Sequence, residues 1–179
     1  MSNQIVRPLV LGTVAILFGW LATTLSAIPQ TGECHLVADD RNHSEQILRC
    51  GDDLVVRAAT GTRYHQVNQQ GNSPPEALQL DSGALMIEFH PNNTQKNFQI
   101  LTPQAIAAVR GTKWVVDVNG GRTSTLVISG EVAVARLHEN PTVLLKPGEG
   151  ADVTAGTEPF VAKRWPEKRV RALLARFGE

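Results

Sequence analysis

The side chains best equipped for chemistry in this chain are two cysteines, five histidines and a few unevenly placed arginines. Cys34 and Cys50 are the only cysteines, with fifteen residues between them. In an oxidising compartment a lone pair this close in sequence most simply forms one disulfide. Closing such a loop stabilises a fold by about 3 kcal/mol in the chain-entropy view. Two free thiols are the alternative; a zinc site with His35 and His43 is the third reading, but the paired short spacings of a zinc motif are missing. A lipid-attachment cysteine would follow small and aliphatic residues, whereas Thr31-Gly32-Glu33 precedes Cys34. The histidines (His35, His43, His65, His90, His138) are scattered, with no Gly-x-Ser-x-Gly and no phosphate-binding Gly-Lys-Ser/Thr. Asp52-Asp53 after Gly51 reads as turn chemistry rather than a cation site. The expectation is a protein without catalytic residues, metal or cofactor.

Two groups of cations stand out as candidate contact residues. Arg110 lies between Val109 and Gly111 in an otherwise apolar region. It either holds a carboxylate of a ligand or partner, or is satisfied internally at a bend, because an unpaired buried charge is costly. The second group is C-terminal. Residues 163–179 carry six basic side chains against Glu167 and Glu179, a net of +4, while residues 28–162 carry ten basic and fifteen acidic ones, a net of −5. From Pro166 onward Val170, Leu173, Leu174 and Phe177 fall at helical spacing, with Pro166 suited to the first turn and Gly178 to the end. Trp165, Lys168, Arg169 and Arg171 are the contact candidates of this basic amphipathic helix. Three roles are open to it: capping an end or edge of the body, docking a protein partner, or touching an anionic membrane. An acidic body with few aromatics excludes nucleic acid as a partner.

The elements that position these residues begin with a targeting signal. One cation precedes an uncharged segment, residues 8–28, in the pattern of an export signal. Residues 1–27 are therefore a signal peptide or an N-terminal membrane anchor, and the mature protein is expected in the periplasm, tethered to the inner membrane if that segment is kept. Beyond it, short β-branched runs alternate with Gly-, Asn- and Asp-rich turns. Leu85, Ile87 and Phe89 alternate with Met86, Glu88 and His90. Thr112, Trp114, Val116 and Val118 share one strand face and Lys113, Val115, Asp117 and Asn119 the other. Asn119-Gly120-Gly121 reads as a hairpin turn. Leu78, Leu80 and the run to Phe89 read as two strands across a turn at Asp81-Ser82-Gly83. Residues 61–75 read as loop, and residues 34–49 as a surface loop or short irregular hairpin. Residues 105–108 fit either one helical turn or tight extended chain. The count is nine or ten strands of four to seven residues with no helix between residues 28 and 155, an all-β body.

Three ordered blocks carry a resemblance. Thr102-Pro103 leads into Val109-Arg110-Gly111-Thr112 and Trp114; Val-Ile-Ser-Gly-Glu-Val-Ala-Val follows, with Gly130 and Glu131; Leu-Lys-Pro-Gly-Glu-Gly-Ala closes, with Pro147, Gly148 and Gly150. Together they resemble the FecR domain. The resemblance implies a periplasmic β-solenoid or sandwich, placed here at residues 28–155; the basic helix, residues 156–179, follows it and is separate in character. In full FecR regulators that domain stands behind a membrane helix and passes a signal from an outer-membrane receptor to a cytoplasmic sigma factor. Seven residues before the apolar segment are too few for a sigma-binding domain, so the expectation is a protein-interaction module in envelope signalling or assembly, with another envelope protein as partner. A small-ligand or glycan-binding domain using polar loops such as residues 66–72 is the alternative.

Overall fold

A computed structural model describes residues 34–38, 46–67, 73–92, 95–137 and 142–179. The N-terminal apolar segment, His43, His138 and most of the polar run at residues 66–72 lie outside the described residues. Among the described residues thirteen strands form one hydrogen-bonded sheet that curls on itself. In chain order they are β1 (Cys34–Ala38), β2 (Gln46–Cys50), β3 (Leu54–Ala58), β4 (Arg63–Val67), β5 (Ala77–Phe89), β6 (Phe98–Leu101) and β7 (Ala105–Val109). Then follow β8 (Thr112–Asn119), β9 (Arg122–Ser129), β10 (Val132–Arg136), β11 (Val143–Leu145), β12 (Glu149–Thr154) and β13 (Lys163–Arg164), and finally helix α1 (Glu167–Leu174) with a 3-10 turn at Ala175–Phe177. The body is all-β with one short C-terminal helix.

β5 organises the architecture. Its first half pairs with β4 and, in parallel, with β6; its second half pairs with β3 and β8. The sequence expectation of two strands across a turn is corrected here, because the chain stays extended and only bends at Gly83. Gly83 has φ +90°, and a Cβ there would sit 2.5 Å from the Thr62 hydroxyl. That hydroxyl bridges the bend, donating to the Ala84 carbonyl and accepting from the Ala84 amide. The bend divides the sheet into a larger layer (β1, β2, β3, β5, β8, β9, β12, β13) and a smaller one (β4, β5, β6, β7, β10, β11). The reading of residues 61–75 as loop is likewise corrected: Arg63–Val67 pairs with β5, and Tyr64 packs half-buried against the core. Residues 105–108 are extended chain in β7.

The two layers share one apolar core. Leu85, Ile87 and Phe89 of β5, Trp114, Val116 and Val118 of β8, Phe98 and Ile100 of β6, and Val132 and Val134 of β10 all point into it. Phe89 and Phe98 meet with ring centroids 5.7 Å apart. The period-2 faces expected for β8 are the faces observed. Cys34 and Cys50 form a disulfide that locks the β1–β2 hairpin at its end, with Cα atoms 4.0 Å apart.

Candidate interaction surface

The blocks that looked like motifs build corners. Arg110-Gly111 turns the chain from β7 in the smaller layer to β8 in the larger one, and Gly130-Glu131 returns it from β9 to β10. The two corners stack: a Cβ on Gly130, where φ is +80°, would lie 2.5 Å from the Gly111 carbonyl oxygen. Thr102 is buried and its hydroxyl bonds both backbone groups of Ala105 and the Thr123 hydroxyl of β9, tying the layers together. Pro103 and Glu131 are exposed at their turns. Arg110 is exposed as well, and its Nε donates to Asn97 Oδ1 at 3.1 Å. The bend expected at Arg110-Gly111 is therefore present, but the guanidinium meets Asn97 on an exposed corner and is not buried.

The third corner, Pro147-Gly148 between β11 and β12, carries the C-terminal segment. The Trp165 amide donates to the Gly148 carbonyl, and the Trp165 indole lies on Gly150 so closely that a Cβ there would be 2.4 Å from the ring. From this anchor α1 runs across the outer face of the larger layer. The second side-chain set of β8 and its neighbours is thus not solvated: Ala84, Met86, Val115 and Leu126 are buried beneath Trp165, Leu173 and Phe177, with Val170 and Leu174 packed at the margin. A sheet face that meets water alternates apolar with polar residues; this one has an apolar floor and a charged rim.

The rim engages the segment by ion pairs. Arg169 donates to both oxygens of Asp152, at 2.5 and 2.9 Å, and its guanidinium stacks 3.4 Å from the centre of the Trp165 ring. Arg176 donates to Asp117 at 2.6 Å. At the far end Arg57 and Lys113 both reach Glu179 Oε1 at 3.2 Å, and Arg57 also donates to the Phe177 carbonyl. Burial pushes the Asp152 carboxyl upward, but the Arg169 bonds, the Ser124 hydroxyl and the charge of Arg122 outweigh it and hold Asp152 below the usual carboxylate range. Of the candidate contact residues, Trp165 and Arg169 are engaged in this docking, whereas Lys168 is exposed and Arg171 is an exposed partner of Glu167. The idea of a cap over an open end or edge is corrected: α1 covers a face.

Sequence reasoning missed Arg136. It is buried at 8% exposure, donates to the carbonyls of Thr154 and Glu158, and stacks on Phe160, so it clamps the end of β12 and the following link to β10. Beside Arg57 and Lys113 the surface sinks into a depression of about 370 Å³, lined in part by Ile47, Arg49, Val55, Met86 and His90. Among the described residues no cluster of His, Cys, Asp or Glu has the grouping of a metal site, and no helix is long and apolar enough to cross a membrane.

A family model described as FecR protein matches residues 41–133, just over half of the chain. This chain belongs to the FecR family. The matched segment spans β2 to the start of β10, so the Pro147-Gly148-Glu149-Gly150 corner and the docked helix of this FecR protein lie beyond it. No curated protein matches the chain. Two crystal structures of a candidate anti-sigma factor from Parabacteroides distasonis, at 1.65 and 2.50 Å resolution, share the fold with a TM-score of 0.54 and 19% identity. The likeness covers 80% of this chain and 61% of that one, so this FecR protein spans less than two thirds of its structural relative.

Proposed function

We propose that this FecR protein is a non-enzymatic interaction module of the bacterial envelope, acting in signalling or assembly through contact with another envelope protein. The observation that carries the reading is the FecR domain itself, matched over residues 41–133. Two features support it. The Cys34–Cys50 disulfide suits an oxidising compartment such as the periplasm. The exposed surface offers charged side chains, among them Arg110, Lys168 and Arg171, at a corner and on one helix, as a binding module can use. A sigma-factor pathway is one signalling route to test, because the fold is shared with a candidate anti-sigma factor.

The test is affinity capture of the full chain from envelope extracts. Recovery of one specific envelope protein, lost when the capture is repeated with heat-denatured bait, is the expected outcome. Consistent failure to enrich any protein under several detergents and salt concentrations sinks the reading. The depression beside Arg49, Arg57 and Lys113, which Asp52, Glu88 and Glu179 also line, favours a second reading, binding of a small ligand or glycan. A ligand that binds only the folded state raises the melting temperature, so a reproducible shift with peptidoglycan fragments would move the conclusion to that reading.

A further inference from the structure

We propose that the outer face of the larger layer is a docking site for a basic amphipathic helix with an aromatic anchor, and that residues 165–179 are its resting occupant. A helix of that chemistry from another envelope protein displaces them. The inference rests on the protein-contact function proposed above and names its surface.

Four observations lead to it. The face is built to receive a helix: Ala84, Met86, Val115 and Leu126 make an apolar floor on the side of the sheet away from the main core. That main core is complete without the segment, since its buried members end at Val153, and only Phe160 and Ala162 touch it from beyond. The charges are complementary in sign and in register. Asp152 and Asp117 stand as two sockets for Arg169 and Arg176, seven residues or two helical turns apart, in a body of net −5 facing a segment of net +4. The attachment is narrow as well. Residues 155–159 are exposed and held to the body by Arg136 at the Glu158 carbonyl, and β13 contributes only two residues to the sheet before Trp165 turns onto Gly150.

Helix-in-groove recognition reads apolar anchors at i, i+3, i+4 and i+7 spacing. Val170, Leu173, Leu174 and Phe177 present that pattern to the floor, and the two arginines fix direction and register. A competing helix therefore needs a cation pair spaced like Arg169 and Arg176, an apolar stripe between them, and an aromatic ring for the bare backbone at Gly150. Its apparent affinity is lowered by the fraction of chains whose own segment is docked.

The experiment uses the full chain and a fluorescent synthetic peptide with the sequence of residues 160–179. In the chain bearing Arg169→Glu and Arg176→Glu, the segment is repelled by its sockets while the face is intact. The peptide is expected to bind this variant at least tenfold more tightly than the unmodified chain, and a peptide carrying the same two charge reversals is expected not to bind it. Equal affinity for both chains, equal binding of both peptides, or loss of cooperative thermal unfolding in the variant would each overturn the proposal. Hydrogen exchange on the unmodified chain gives a second reading without any substitution. The amides of α1 should exchange at least tenfold faster than those of β8, and faster still with excess peptide; exchange of α1 and β8 through one common opening refutes a separable segment. Neither readout depends on an envelope partner, so failure of affinity capture and failure of this proposal are distinguishable.

Discussion

Gly150→Ala is the sharpest perturbation of the surface, because it adds one methyl group at a place with no room. A Cβ at residue 150 lies 2.4 Å from Trp165 Cε2, 2.5 Å from Nε1 and 2.6 Å from the Thr125 carbonyl oxygen. Two routes relieve the overlap. The indole lifts off: a tryptophan buries roughly 200 Å², which at about 25 cal/mol per Å² is about 5 kcal/mol, reduced to about 3 to 4 kcal/mol because the unfolded chain already hides part of that area. Alternatively β12 shifts from β9, an overpacking strain of about 1 to 3 kcal/mol. The chain takes the cheaper route, so a loss of about 2 to 3 kcal/mol is expected. For a chain of this size that is a fall in Tm of roughly 5 to 10 °C. The assay is thermal unfolding followed by circular dichroism, run as a cycle with Trp165→Ala. If the indole is what the methyl meets, the double variant is barely less stable than Trp165→Ala alone, a coupling well above the few tenths of a kcal/mol expected of independent sites. A Gly150→Ala protein within about 0.5 kcal/mol of the unmodified chain, the range of an ordinary surface change, or strict additivity in the cycle, refutes the reasoning.

The other predictions concern the supports of the same frame. Reducing the Cys34–Cys50 disulfide, or replacing both residues by Ser, should cost about 3 kcal/mol from loop closure, read as a lower urea midpoint; an unchanged midpoint would show that the β1–β2 hairpin carries no constraint. Arg136→Leu should cost about 2 to 3 kcal/mol, since it strips charged donors from the Thr154 and Glu158 carbonyls, and Arg136→Lys should recover only part of that. Asp152 has its folded-state pKa below the unfolded one, so its stabilisation is fully present above about pH 4 and is lost as pH falls through the lowered value. Asp152→Asn should therefore flatten the acid limb of the Tm-against-pH curve and leave its shape unchanged near neutrality; a limb as steep as that of the unmodified chain would assign the acid sensitivity to other carboxylates.

Much of the frame was legible because a strand in one layer carries its own signature. The alternation of Trp114, Val116 and Val118 with Lys113 and Asp117 fixed both faces of β8, and Asn119-Gly120-Gly121 marked its hairpin. Where composition and conformation part company, the reading erred. Asp81-Ser82-Gly83 has the chemistry of a turn, yet a bend inside β5 needs the same positive φ and uses the Thr62 hydroxyl, twenty-two residues from Ala84, to stay paired. Arg136 ends an alternating Val-Ala-Val-Ala-Arg run and reads as a solvated strand end; only the fold brings the Thr154 and Glu158 carbonyls to it.

The interaction surface divides in the same way. Its helix was visible, since spacing within one element is local, but its seat was not, because the seat is assembled from β3, β5, β8, β9 and β12. Two traces of the seat did stand in the sequence. Val115 and Met86 occupy the nominally polar sides of their strands, which an open sheet face does not need, and the body and the tail carry opposite net charge. Each trace alone is weak. Joined, they demand a cover for the outer face, and the only strongly basic amphipathic segment in the chain is the one that supplies it. Local periodicity thus names the two surfaces, opposite charge says that they meet, and the register between Asp152, Asp117 and the two arginines is the part that only the three-dimensional fold provides.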